Sequence, residues 1–200
     1  MNKLLYTKLN NLFSKTKATY ISSKTLYNGK FIKLISEKYK LPNNKIIERE
    51  RIEKNSNKES VIIIAITKED KFILVVQNRI NELTSIEFPS GYIEDDESVE
   101  EAANRELQEE VGYISNDITI LDSYCSQLGI DASIVNIVLA RNCIKISNQN
   151  LGENEYINFD EFSFDELCYI VKENYINGCG NKLAFYELVN KYSNKYAYKK

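Results

Sequence analysis

Residues 91–113 read GYIEDDESVEEAANRELQEEVGY, and this stretch has the pattern of an amphipathic helix. Residues 98–111 contain neither glycine nor proline, and their apolar side chains recur at helical spacing. Ser98 followed by Glu101 forms the pattern of a capping box at a helix start, and Gly112 is a typical stop after a helix. The stretch therefore predicts a helix with one face packed on a core. That apolar face consists of Val99, Ala102, Ala103 and Leu107.

The opposite face of this helix carries carboxylates. Glu106 lies three residues before Glu109 and four before Glu110, so the three side chains share one face, where we expect Glu110 to be exposed. Three negative charges repel one another there, and a bound cation would offset the repulsion. Mg²⁺ is the expected occupant, because it is held by a few carboxylates together with waters and substrate phosphates. A solvated acidic helix face is the alternative.

Three residues around the helix are expected to support these carboxylates. Arg105 pairs with a neighbouring carboxylate and orients it, or else forms a surface ion pair with Glu101 or Glu109. Glu97 stands at the helix entrance, where the helix dipole favours an acid. Gly91 is a turn glycine or a position where a backbone without Cβ approaches a ligand closely.

The remaining sequence indicates a mixed α and β domain. Aliphatic runs at 61–66 and 71–76, joined by a short polar turn, are typical of buried central strands. Further strands are predicted around 30–39, 45–53, 118–121, 134–140 and 143–146, and closing helices over 164–171 and 182–192.

The amino-acid composition limits the kinds of chemistry and of partner that the protein can have. There is no histidine, so acid–base chemistry falls to aspartate and glutamate. A formal net charge of −3 gives no overall basic field that would indicate a nucleic-acid or anionic-membrane partner, and no nucleic-acid partner is expected. Four widely spaced cysteines predict reduced thiols, and the sequence has no apolar run long enough to cross a bilayer. We expect a cytoplasmic protein with no membrane partner.

The N-terminal part differs in charge from the rest. Residues 1–40 contain nine lysines against the single acid Glu37. Helical spacing of apolar side chains predicts a short amphipathic helix over 3–14, which packs on the body or on a second subunit. Those side chains are Leu5, Leu9, Leu12 and Phe13.

The quoted stretch resembles the Nudix hydrolase signature, G-x5-E-x7-R-E-U-x-E-E-x-G-U, where U is aliphatic. Tyr113 departs from it, being aromatic. The matching residues are Gly91, Glu97, Arg105, Glu106, Leu107, Glu109, Glu110 and Gly112. The resemblance implies an α/β fold, the Nudix α/β/α sandwich with a mixed sheet, preceded by an N-terminal antiparallel β region. Residues 1–55 would form that N-terminal helix and β region, a dimerisation element, and residues 56–200 the Nudix catalytic domain.

Over residues 23–190 the chain is similar to the ADP-ribose pyrophosphatase branch, which hydrolyses nucleoside diphosphate sugars. The branch motif Q-x-R, ending here at Arg79, implies a clamp on a phosphate or ribose. E-F-P-S-G stands in place of E-L-P-A-G and implies that the Ser90 carbonyl binds a metal. Glu153 and Glu155 of G-E-N-E are candidates for a further catalytic carboxylate. A proline that the branch often carries beyond the signature has no counterpart in residues 126–131.

The resemblance implies hydrolysis of the pyrophosphate bond of a small nucleoside diphosphate linked to another moiety, ADP-ribose or a related nucleotide sugar. Mg²⁺, or Mn²⁺ in its place, would bind at the Ser90 carbonyl, Glu106, Glu109 and Glu110, of which the last two are also catalytic. A homodimer is implied, in which Arg49 or Arg51 reaches a phosphate in the partner's site or lies on a surface strand. Alternatives are a housecleaning hydrolase of a nucleoside triphosphate, dinucleotide or coenzyme, and a non-catalytic nucleotide-sugar sensor.

Overall fold

The computed structural model describes residues 3–54, 59–79, 83–153 and 155–196. Its contacts divide the chain into two units. The first comprises Met1–Asn57 and Gln127–Ala132, and the second comprises Lys58–Ser126 and Ser133–Lys200.

The first unit consists of one helix and an antiparallel three-stranded sheet in the order β1-β2-β3. Its elements are α1 (Lys3–Thr16), β1 (Thr19–Asn28), β2 (Ile32–Lys40) and β3 (Ile46–Lys54). The predictions of a helix at 3–14 and of strands around 30–39 and 45–53 are confirmed. No residue of α1 is buried, and the expectation that this helix packs on the body or on a second subunit stays a prediction.

The second unit is built on a mixed sheet whose central order is β11-β5-β4-β10-β8. β4 and β10 run parallel, whereas the other pairs with recorded register are antiparallel. Two short strands, β6 and β7, pair with β5 and β4, and β9 pairs with β10. The strands are β4 (Ser60–Thr67), β5 (Phe72–Asn78), β6 (Thr84–Glu87), β7 (Ser90–Tyr92), β8 (Tyr113–Ile114), β9 (Asp117–Gln127), β10 (Asp131–Lys145) and β11 (Ile157–Phe162).

Alternating side chains of the central strands supply two separate cores. On one face, Val61 and Ile63 of β4 pack with Leu107 of α2 (Val99–Val111). On the other face, Ile62 and Ile64 pack with side chains of α3 (Phe164–Lys172) and α4 (Cys179–Lys191). Because strand side chains alternate between faces, an unbroken aliphatic run is what a sheet covered on both sides requires. The expected α/β/α sandwich is confirmed.

One detail of the predicted strands was wrong. The segments 134–140 and 143–146, expected to be two strands, form the single strand β10. An irregularity between Ala140 and Cys143 interrupts the register with β4, and Asn142 there has a φ of 53°. A bulge shifts the side-chain alternation without ending the strand, so the sequence pattern breaks although the strand continues.

Within the described residues, no helix is long and apolar enough to cross a membrane. All four cysteines are free thiols, as the sequence predicted.

Candidate active site

Helix α2 begins and ends as the sequence predicted. Ser98 accepts a hydrogen bond from the Glu101 backbone, and the Glu101 carboxylate accepts one from the Ser98 backbone, which completes the capping box. Gly112 ends the helix in the left-handed conformation, with φ 79° and ψ 18°. A Cβ at this glycine would also lie 2.2 Å from the Ser147 carbonyl oxygen, so both conformation and space require glycine.

Glu110 lies inside the protein, and the expectation that it is exposed was wrong. It is 5% exposed, and its Oε2 accepts a hydrogen bond from the Ser90 backbone N–H at 3.0 Å. The pKa of the Glu110 carboxyl is raised to about 8, mainly by burial and also by the charges of Glu106 and Glu155, while the hydrogen bond from Ser90 N–H and the charge of Arg79 oppose the rise. The helix face is therefore partly covered by the strand that carries Ser90.

The Glu106 carboxylate occupies the space beside Gly91 that a side chain at this position would fill. A Cβ built on Gly91 would lie 1.9 Å from Cδ of Glu106, so the glycine leaves the space that this carboxylate occupies. The close approach expected at Gly91 is thus to a carboxylate of α2. Burial raises the pKa of the Glu106 carboxyl, and hydrogen bonding to Arg105 opposes that rise. Glu109 is more exposed, with 39% of its side chain accessible.

Arg105 holds the acidic side chains in place. Its Nε donates to Glu97 Oε1 at 2.9 Å and its Nη1 donates to Glu106 Oε1 at 2.7 Å. Nη1 also lies 3.2 Å from Glu109 Oε2, and Nη2 donates to the Tyr92 carbonyl at 2.7 Å. A guanidinium with several partners in fixed directions orients them. Of the two acids named in the surface-pair alternative, the structure pairs Arg105 with Glu109.

The segment that leads into the signature is anchored at successive residues. Arg79 Nε donates to Glu87 Oε1 at 2.8 Å, and a second bond joins Arg79 Nη2 to the same carboxylate. The next backbone N–H, that of Phe88, donates to Asn181 Oδ1 at 2.7 Å. Because Ser90 N–H is in turn bound to Glu110, the Ser90 carbonyl is carried on a segment with little freedom to move.

One of the two candidate loop carboxylates lies close to the α2 acids. The charge of Glu155 raises the pKa of both Glu106 and Glu110. The Glu155 carboxylate accepts a hydrogen bond from Gly152 N–H at 2.9 Å. Glu153 is exposed, and Asn154 of the same motif lies outside the described residues. The charge of Glu155 therefore acts on the α2 acids, and a catalytic role for either Glu153 or Glu155 stays a prediction.

The two arginines expected from a partner subunit lie on β3 of the first unit. Arg51 donates through Nε to Glu37 at 2.8 Å and pairs with Glu53 at 2.8 Å. Arg49 lies opposite Glu37 in the strand register. Their role toward a phosphate stays a prediction.

Sequence reasoning missed three polar side chains that hold the site together. Glu87 binds Arg79, Asn181 binds the Phe88 backbone and Gln149 binds the Glu110 carbonyl. Glu87 belongs to the E-F-P-S-G segment, so its position in that motif was the available indication. The partners of Asn181 and Gln149 lie 93 and 39 residues away in the chain, and no local pattern indicates such pairings.

The donor set suits a divalent cation, although the described residues contain no ready-made group of three or more acidic, thiol or imidazole ligands around one point. The carboxylate oxygens of Glu106, Glu109 and Glu110 and the Ser90 carbonyl are hard oxygen donors of the kind that Mg²⁺ binds. Burial and the charges of neighbouring acids raise the pKa of Glu106 and Glu110, and a cation beside them would offset both effects.

A family model and two curated relatives match more than half of this chain. The NUDIX domain model matches residues 56–176, more than half of the chain. An ADP-ribose pyrophosphatase of Bacillus subtilis (strain 168) is 31% identical over 154 residues, which are 76% of this chain and 82% of that protein. A methanol dehydrogenase activator of Bacillus methanolicus is 31% identical over 155 residues, with the same shares of each chain.

A solved structure supports the same relationship. The crystal structure of an ADP compounds hydrolase superposes with a TM-score of 0.81 at 27% identity, covering 90% of this chain and 96% of that one. Members of the matched family generally use divalent metal ions. The chain therefore belongs to the NUDIX family, in which it groups with the ADP-ribose pyrophosphatase branch as a pyrophosphohydrolase.

Proposed function

We propose that the protein hydrolyses the pyrophosphate bond of ADP-ribose or a closely related nucleoside diphosphate sugar, with Mg²⁺ as the metal. One observation carries the proposal, the arrangement of the acids on one face of α2. Glu106 accepts a hydrogen bond from Arg105, and Glu110 accepts one from the Ser90 backbone. The negative charge of Glu155 acts on both carboxyl groups. Such a group of acids in a partly buried site is unfavourable on its own and becomes favourable beside a cation and a polyphosphate.

A divalent cation held by the Ser90 carbonyl, Glu106, Glu109 and Glu110 would neutralise phosphate charge and make water more acidic. In the reaction, a water oxygen forms a bond to one phosphorus, and the bond from that phosphorus to the bridging oxygen breaks. Glu155 lies near the α2 acids and is the candidate to accept the proton of the attacking water. For ADP-ribose the products are AMP and ribose 5-phosphate.

Arg79 is the candidate to bind a phosphate or the ribose. Glu87 is bound to Nε and Nη2 of Arg79, and among the described residues no partner is recorded for Nη1, which leaves a donor for a substrate oxygen. The bond to Glu87 also raises the pKa of Arg79, so the guanidinium stays charged. A fixed, charged, planar donor suits a phosphate oxygen.

The test is an assay of a substrate panel with purified protein, measuring released monophosphate with Mg²⁺, with Mn²⁺ and with a chelator. The panel contains ADP-ribose, other ADP-sugars, a nicotinamide dinucleotide, a diadenosine polyphosphate and nucleoside triphosphates. We expect the highest kcat/KM for ADP-ribose and no AMP in the presence of chelator. Absence of AMP release from every ADP-sugar would contradict the proposal.

The panel is broad because sequence identity does not distinguish between relatives that have different names. The ADP-ribose pyrophosphatase and the methanol dehydrogenase activator match at the same 31%. A preference for a dinucleotide or triphosphate would favour the housecleaning alternative, and binding of a nucleotide sugar without turnover would favour a sensor.

A further inference from the structure

The loop between β10 and β11 is fastened to the C-terminal end of α2. Gly112 O accepts hydrogen bonds from the backbone N–H groups of Ile146 at 2.9 Å and Ser147 at 3.2 Å. Glu109 O accepts one from Asn150 N–H at 2.8 Å. The last carbonyls of a helix have no partner within the helix, so this loop supplies donors that the helix end needs.

Among the described residues, the side chain of Gln149 also binds this end of the helix, and it links the helix to β11. Its Nε2 donates to Glu110 O at 2.6 Å and to Ile157 O at 3.0 Å. Glu110 is the buried acid of α2, and Ile157 is the first residue of β11. One amide group therefore fixes the distance between the end of the acidic helix and the start of the strand that follows the loop.

Glu155 lies within the segment that this bridge closes. It stands two residues before Ile157, and its backbone N–H donates to Gly152 O at 3.0 Å while its carboxylate accepts from Gly152 N–H. Those two bonds hold Glu155 to its own loop. They do not hold the loop to α2, which is what the Gln149 amide and the neighbouring backbone donors do.

We propose that Gln149 is a positioning residue, which acts through Glu155 by holding residues 155–157 against the end of α2. The inference rests on the proposed function, because it assigns to Glu155 a part in the reaction. The two hydrogen bonds of the Gln149 side chain to described residues both go to main-chain carbonyls, so the proposed effect on the carboxylates is indirect.

The test replaces Gln149 with methionine, which has a similar length and no hydrogen-bond donor. We expect kcat for ADP-ribose with Mg²⁺ to fall at least about tenfold and KM to change less than about threefold, since the contact between Glu155 and the attacking water matters chiefly in the transition state. Hydrogen exchange of the peptide covering 150–157 should become faster. Asn148→Ala, a change at an exposed position of the same loop, is the matched control and should alter neither quantity.

A double-mutant cycle with Glu155→Gln separates positioning from a general loss of stability. If Gln149 acts through Glu155, then Gln149→Met lowers kcat in the wild-type background and has little further effect in Glu155→Gln. Independent losses that multiply in the double variant would overturn the proposal.

The two proposals fail differently. A wild-type protein that releases no AMP from any ADP-sugar contradicts the proposed function. Unchanged exchange of the 150–157 peptide in Gln149→Met overturns the inference about Gln149 on whichever substrate the protein acts, because the bridge would then not hold the loop.

Discussion

The buried carboxylate of Glu110 is the residue on which the proposed chemistry depends most. We expect Glu110→Gln to lower turnover on the order of 10³-fold, the equivalent of about 4 kcal/mol of transition-state stabilisation from a bound cation. The fold should survive, because glutamine keeps the volume of the side chain and an oxygen that accepts from Ser90 N–H. Steady-state assays and a thermal melt check both expectations.

Glu101→Gln is the matched control for that variant. It makes the same chemical change on the same helix at an exposed position, and glutamine preserves the capping box. A Glu110→Gln protein as active as Glu101→Gln would contradict the assignment of Glu110 as a metal ligand.

Gly91 provides a second test at the level of one atom. Alanine here would place Cβ 1.9 Å from Cδ of Glu106, and the flexible carboxylate would have to move. We expect Gly91→Ala to stay folded and to lose at least about tenfold in kcat, because a displacement of about 1 Å in a catalytic group has large effects on rate. Circular dichroism and kinetics measure the two outcomes.

Gly129→Ala is the control for the added methyl group, since a Cβ there meets no atom within 4 Å. Equal kcat values for the two alanine variants would show that the space at Gly91 is not needed by Glu106.

The residues that begin and end helix α2, Ser98 and Gly112, can be identified from the sequence. We expect Ser98→Ala to lower the free energy of unfolding by about 1 kcal/mol, the usual loss for a removed N-cap side chain. Urea denaturation measures it. Ser163 caps α3 with the same pair of bonds to Glu166, so Ser163→Ala should show a similar loss. A Ser98→Ala protein as stable as the wild type would mean that the cap bond does not contribute.

The contrast between α2 and the β10–β11 loop shows what a sequence can predict. A capping box, an apolar stripe and a stop glycine act within one helix, so their spacing fixes the bounds of α2 and the face that carries Glu106. The two-residue strand β8 and the Gln149 bridge depend on residues far along the chain. No periodic pattern in the local sequence therefore predicts them. Burial of Glu110 was missed for the same reason, because a covering strand twenty residues away supplies it.

At the scale of the whole molecule, the first unit carries several largely exposed apolar side chains among its described residues. Phe13 is 64% exposed, Tyr27 61% and Phe31 73%. Single exposed apolar residues are common on protein surfaces, whereas several within one small unit are typical of an interaction surface. Basic residues accompany them on α1, where Lys15 lies in the last turn and no acid lies in the first.

We propose that a second copy of the chain covers this surface in a homodimer. Light scattering coupled to gel filtration should give about twice the 23.2 kDa of one chain at micromolar concentration. Replacing Phe13 and Phe31 together by serine should shift the mass toward the monomer, since each serine removes apolar area from the interface. Tyr169→Ser, an exposed aromatic of the second unit, should leave the mass unchanged. A wild-type protein that is monomeric at micromolar concentration would contradict the proposal, because the apolar side chains would then be exposed to water without a partner copy.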